Sequence, residues 1–214
     1  MTRRKSADGS ARRPRGGLAD KHRAILAGAL TVFAQDGYTR ASIDAIAAKA
    51  GVSTRTIYNH FEHKAELFQA VIQESATRVA EAQIAIMNSH LRKITDLEDD
   101  LFEFGQAWLT PMPDYAEHSA LVRQINAECE HIPPAAIEAW QEAGPRRVLR
   151  ELADRLAQLA DRELLQLEDP ELAAHHFAVL IAVPNPSFPG GLRDEEPAAM
   201  VAAGVRVFLR GYAP

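Results

Sequence analysis

From Leu18 onward the apolar residues recur with helical spacing. Ile25, Leu26, Ala29, Leu30 and Phe33 fall at the i, i+4 and i+8 offsets of one buried face. Gly37, directly behind Asp36, suits a residue that ends this helix in a left-handed conformation. Ser42 predicts an N-cap for a short helix that carries Ile43, Ile46 and Ala47, with Asp44 in its first turn. Ala50-Gly51-Val52 breaks that helix after barely two turns. Ser53 then caps another, reaching about His60, and a longer helix begins near His63 or Lys64 and runs to about Asn88. Its apolar face is Leu67, Phe68, Val71 and Ile72.

The remaining chain predicts helices over 96–109, 114–130, 134–142, 145–162, 169–183 and 194–211. Pro111 and Pro113 separate the first two. Gly144-Pro145 ends one helix and starts the next, and Asp169-Pro170-Glu171 joins a cap, a first-turn proline and an acid facing the helix dipole. The stretch 184–191, with three prolines and two glycines, predicts a loop. No segment alternates with period two, so the fold class is all-α. A basic tail (1–17) precedes a three-helix domain (18–64) and a larger helical domain (65–214).

Charge sharpens this division. The net charge is −5, yet residues 1–70 hold 12 Lys/Arg against 6 Asp/Glu, and residues 71–214 hold 12 against 23. Only the first part is suited to meet a polyanion, and charge alone leaves nucleic acid and anionic lipid both open. The tail has six basic residues and almost no apolar side chain, so it is expected to be disordered when free. It reads either as a solubilising leader or as an arm that touches DNA. No apolar run approaches the ~18–20 residues of a membrane span, and no apolar stretch follows the basic start, so a cytoplasmic protein without membrane contact is expected. The single cysteine, Cys129, excludes an internal disulfide.

Two short helices joined at Ala50-Gly51-Val52 form a helix-turn-helix, which places its second helix in the major groove. Ile43, Ile46, Val52 and Ile57 point inward; Thr54, Arg55, Thr56, Tyr58, Asn59 and His60 point outward, each able to hydrogen-bond and none acidic. The pattern extends well beyond this unit. Ile25-Leu26-x-x-Ala29-x-x-x-Phe33-x-x-x-Gly37-Tyr38 is followed by Ser42-x-x-x-Ile46-Ala47-x-x-Ala50-Gly51-Val52-Ser53. Thr56-Ile57-Tyr58-x-His60-Phe61-x-x-Lys64-x-x-Leu67 completes it. Across about Lys21 to Val71 the chain resembles the DNA-binding domain of the TetR family of bacterial transcriptional repressors.

The resemblance implies a role for each matched position. Ser42 would hold a phosphate at a helix N-terminus. Arg55 and Thr56 would face base edges, with Ser53 and Thr54 at the entrance of the recognition helix. Tyr58 and His60 would brace the backbone, Asn59 would touch base or backbone, and Lys64 would place its charge on a phosphate. Where the family often has a small cap before this lysine, the chain has His63, and Glu66 is expected to reach back as half a capping box.

The resemblance further implies a helical domain for effector binding and dimerisation. Ala173, Phe177, Leu180 and Ile181 form one stripe and Val201, Gly204, Val205 and Phe208 another, so two helices from each subunit would make a four-helix bundle. The alternative is that both stripes pack internally. A homodimer would set two recognition helices about 34–36 Å apart on a palindromic operator. Phe104, Trp108, Met112, Tyr115, His131 and Trp140 are candidates to line a pocket for a small apolar or amphipathic effector, or to be core residues.

An enzyme is not expected, because His-Glu-x-x-His, Gly-x-Ser-x-Gly and a Gly-rich phosphate loop are all absent from the sequence. No cofactor or metal is expected either. His175-His176 point apart on a helix, and Asp114 and His118 read as an exposed pair more readily than as metal ligands. A DNA-binding architectural or adaptor protein without a ligand would share the helix-turn-helix and have a filled C-terminal core.

Overall fold

The computed structural model describes residues 17–182 and 197–214. The expectations for the tail up to residue 16 and for the loop at 184–191 lie outside the described residues. The helices are α1 (Leu18–Arg40), α2 (Ile43–Ala50), α3 (Thr54–Tyr58), α4 (Lys64–Leu91) and α5 (Leu97–Leu109). They are followed by α6 (Ala116–Glu128), α7 (Pro134–Ala143), α8 (Pro145–Ala160), α9 (Pro170–Ile181) and α10 (Pro197–Tyr212). The architecture is all-α, as expected from the absence of period-two alternation.

Starts follow their cap residues closely. The side chains of Ser42, Ser53, Asp96 and Asp169 each accept a bond from the backbone N–H three residues on, which satisfies a donor the first turn leaves free. Ends follow tertiary contacts instead. The expected helix at 114–130 is three pieces, α6 flanked by 3-10 turns at Pro113–Tyr115 and Cys129–His131. Gly37 has φ 77° as expected, but its ψ of 179° is a glycine-only extended conformation, not the left-handed helical one. A further turn, Tyr38–Arg40, follows it.

The apolar side chains separate into two cores, and α4 runs through both. The first joins α1–α3 and the start of α4 to Leu121 and Ile125 of α6, with Ile132 and Ala136. The second joins Ala80, Met87 and Leu91 of α4 to α5, α8, α9 and α10. Hydrophobic packing therefore does not divide at residue 64: α6 and part of α7 belong with α1–α3. Gly28 is the close-approach point of α1 and α2, because a Cβ there would lie 2.8 Å from the Ala50 backbone nitrogen.

The expected dimer stripe is corrected here. Phe177, Ile181, Val201, Val205 and Phe208 are all 0–1% exposed, and Leu180 is half-buried. They pack α9 against α10 within the chain, with Phe177 edge-on to Phe208 at 5.2 Å. Gly204 belongs to the same seam, since a Cβ on it would sit 2.2 Å from the Leu180 carbonyl oxygen. The most apolar stripe of each helix is the one its own subunit buries first. Leu172, Val179 and Val207 are instead exposed on the same two helices, at 50%, 72% and 53%.

Candidate nucleic-acid interface and ligand cavity

The turn between α2 and α3 is built on Gly51, with φ 66° and ψ 32°, where a side chain would be strained. Its N–H donates to Ala47 and Ala48, and Val52 N–H donates to Ala47, closing the turn. Ile46 and Ile57 lock α2 and α3 from inside, at 0% and 1% exposure.

On the outer face the predicted residues differ in freedom. Arg55, Tyr58 and Asn59 are exposed, Thr54 is half-buried, and none makes a side-chain hydrogen bond among the described residues. Ser53 and Thr56 are committed to each other: their hydroxyls lie 2.8 Å apart, and Thr56 N–H donates to Ser53 Oγ. Ser42 Oγ likewise accepts from Ala45 N–H. These three hold α2 and α3 in shape. His60 is half-buried against His22 of α1, with ring centroids 5.5 Å apart.

Lys64 is a correction. Its ammonium does not project outward to a phosphate; Nζ donates to the carbonyls of Tyr38, Thr39 and Ala41 at 2.8, 3.2 and 3.2 Å. It also lies 4.8 Å from the Tyr38 ring centroid. All three of its protons are thus spent on the backbone that joins α1 to α2. Nor does Glu66 form the expected capping box, because it accepts from Glu62 N–H at 2.7 Å while His63 makes no side-chain cap.

A second group, unseen in the sequence, holds the same hinge from the opposite side. Glu128, at the end of α6, accepts from Thr39 N–H at 2.9 Å and from Thr39 Oγ1 at 3.1 Å. Gly37 makes room for it, since a Cβ there would fall 2.4 Å from Glu128 Oε1. At the other end of α6, Glu117 accepts from Thr31 Oγ1 of α1 at 2.8 Å. Residues 38–41 are thereby clamped between an ammonium from α4 and a carboxylate from α6. The contacts are separated by 23 to 89 positions in the chain, so no local spacing could reveal them.

The other face of α6 lines a cavity of about 460 Å³. Ala76, Val79, Ala80 and Gln83 of α4, Trp108 of α5, and His118, Ser119 and Val122 of α6 form its walls. Met112, Trp140 and the α7–α8 corner at Gly144-Pro145 complete it with Val148 and Leu149. It lies at the junction of the two cores, with Trp140 packed on the first and Trp108 on the second. Of the six predicted effector residues, Trp108, Met112 and Trp140 are brought together here.

The other three are corrected. Phe104 is fully buried between Trp108 and Phe177, with centroids 4.9 and 5.7 Å away. Tyr115 faces Arg78, whose guanidinium is 5.9 Å from its ring, and His131 is exposed in a 3-10 turn. His118 takes their place. It is not an exposed partner of Asp114: its Nδ1 lies 2.9 Å from Ser75 Oγ on α4. Burial pushes its imidazole below the ordinary value of 6.5. Among the described residues no three His, Cys, Asp or Glu side chains are placed to hold a metal ion. No described helix is long and apolar enough to cross a membrane.

This arrangement of helices is found again in known proteins. The model for "Bacterial regulatory proteins, tetR family" matches residues 25–71, and that for "AefR-like transcriptional repressor, C-terminal domain" matches 99–214. The chain therefore belongs to the TetR family of DNA-binding transcriptional regulators.

A crystal structure described as a TetR-family regulator from Mesorhizobium loti MAFF303099 is 30% identical with a TM-score of 0.79, covering 94% of this chain and 100% of that one. The flavonoid-responsive regulator FrrA is 26% identical with a TM-score of 0.72, covering 92% and 98%. Among curated relatives, the transcriptional activator FasR of Mycolicibacterium smegmatis is 30% identical over 115 residues, which is 54% of this chain and 49% of that protein. The repressor TetR of Mycobacteroides abscessus is 49% identical over 49 residues, 23% of this chain and 26% of that one. The chain spans about half or less of the curated relatives named here.

Proposed function

We propose that this regulator acts as a homodimeric repressor, released from a palindromic operator by a small molecule bound in the α4–α8 cavity. One observation carries the reading: α6 lines that cavity through His118, Ser119 and Val122 and holds the α1–α2 hinge through Glu128. A ligand that favours a different position of α6 changes the hinge on which α2 and α3 are mounted. Such a shift requires only unequal affinity for the two states. The likeness to FrrA, a flavonoid-responsive protein, supports a ligand-regulated role.

On the operator, Arg55 reads base edges with Thr54, Tyr58 and Asn59, while Ser42 brings a helix N-terminus to a phosphate. Ser53 and Thr56 shape the helix entrance, His60 braces it against α1, and Lys64 acts through the hinge. The dimer face is the exposed strip of α9 and α10 that includes Leu172, Val179 and Val207. Fluorescence anisotropy with DNA from upstream of the protein's own gene, beside an unrelated duplex at two salt concentrations, tests the core of the proposal. Selective binding that weakens with salt is expected. Equal binding to both duplexes would favour an architectural protein.

A further inference from the structure

We infer that the cavity selects an uncharged aromatic molecule bearing a hydroxyl group, with its rings against Trp108 and Trp140 and the hydroxyl on His118. This rests on the ligand-responsive reading above and adds the chemical class of the ligand.

Charge decides the first part. No Asp, Glu, Lys or Arg lines the cavity, and His118 is its one titratable group. Burial shifts that imidazole toward its neutral form. An ionised ligand would give up part of its water against apolar walls without meeting a counter-charge, which costs it affinity.

Shape and surface decide the second part. The chain has two tryptophans, and both line this space. The Trp108 ring is braced edge-on by buried Phe104, and Trp140 is anchored in the first core. Two indole rings in one lining suit contact with an aromatic ring.

Hydrogen bonding decides the third. His118 Nδ1 is engaged with Ser75, and Nε2 has no protein partner among the described residues. A neutral imidazole has one bare nitrogen and one N–H, arranged according to whether Ser75 donates or accepts. A hydroxyl matches either arrangement, whereas a carbonyl or ether serves only one. Gln83 and Ser119 add further neutral groups that both donate and accept. The rival occupant is an organic cation held by the tryptophan faces, which the test below includes.

Calorimetry on the full chain at neutral pH, where a phenol is un-ionised, compares four probes of similar size. These are 2-naphthol, 2-methylnaphthalene, 2-naphthoate and 2-naphthyltrimethylammonium. 2-Naphthol is expected to bind one per chain, roughly fivefold to tenfold more tightly than 2-methylnaphthalene. It should exceed both ions by about a hundredfold or more. His118→Phe should erase the advantage over 2-methylnaphthalene without weakening the hydrocarbon, and His118→Gln should restore it.

Val122→Trp, which fills the cavity, should abolish binding of all four while the helical circular dichroism stays unchanged. Preference for either ion, or naphthol binding indifferent to His118→Phe, would overturn the ligand class and leave a ligand-binding cavity standing. Failure of all four probes, or undiminished binding to folded Val122→Trp, would overturn the cavity as a ligand site and the responsive reading with it.

Discussion

The face of α3 and the cavity behind α6 are built on opposite principles. The reading face is local and exposed: Arg55, Tyr58 and Asn59 stand free of the protein, on a five-residue helix whose caps lie within three positions of their targets. The cavity is assembled from five helices, and its His118 is tied to Ser75 behind the wall across 43 positions. A surface that must meet DNA keeps its hydrogen-bonding groups unspent. The cavity spends one ring nitrogen of His118 on Ser75 and leaves the indole N–H of Trp140 without a protein partner among the described residues. Changes to the first should therefore cost recognition, and changes to the clamp between the two should cost stability and coupling.

The hinge tests that division most directly. Lys64→Ala strips three carbonyls of a charged donor and should destabilise the protein by about 2–3 kcal/mol, read as a lowered midpoint in urea. Its DNA affinity should fall alike for operator and unrelated duplex. A stable Lys64→Ala protein that loses only operator affinity would return this lysine to the phosphate backbone.

Arg55→Ala is expected to do the reverse. Operator discrimination should fall by about 1–3 kcal/mol, with the urea midpoint unmoved. Comparable losses on both duplexes would sink its role as a base reader.

On the dimer face, Val179→Glu with Val207→Glu should yield a folded monomer by sedimentation, whereas Phe208→Ala should lower stability by about 3–5 kcal/mol whatever the assembly state. A dimer that survives the paired glutamates would place the interface elsewhere.

Glu128→Gln keeps the shape of the clasp and loses its charge. A destabilisation of about 1 kcal/mol is expected, together with faster hydrogen exchange at the Thr39 amide. Unchanged exchange there would remove α6 from the coupling route.

The smallest effect is a pH dependence. The folded His118 imidazole titrates below its ordinary 6.5 because it is buried, so the unfolded chain binds the proton more readily. Stability is complete above that ordinary value and declines as pH falls through it toward the folded one. His118→Gln should flatten this part of the profile, measured by urea midpoints between neutral and mildly acidic pH.

Much of the fold was legible because its signals are local. Ser42, Ser53, Asp96 and Asp169 start helices through bonds that span three residues, and Gly51 marks its turn by a backbone conformation that other residues resist. The same holds for the exposed row of α3, whose role needs only a short amphipathic helix beside a turn. Trp108, Met112 and Trp140 were recognisable as pocket residues by their chemistry, but Phe104 shares that chemistry and lies in the core. Composition cannot tell a wall from a filling.

The pattern along the chain specifies which side of a helix is apolar, and here that is enough for the ten α-helices of the described residues and a helix-turn-helix. It does not specify which neighbour covers that side. Phe177 and Phe208 could equally have met a partner subunit, and the packing of α9 on α10 through Gly204 buries them at home. Lys64 and Glu128 carry opposite charges on helices 64 positions apart, and their meeting at residues 38–41 depends on α6 folding back onto α1. Capping and periodicity act over one turn of chain, so sequence holds them in full. Burial and charge pairing act through space, and their partners exist only once the helices have packed.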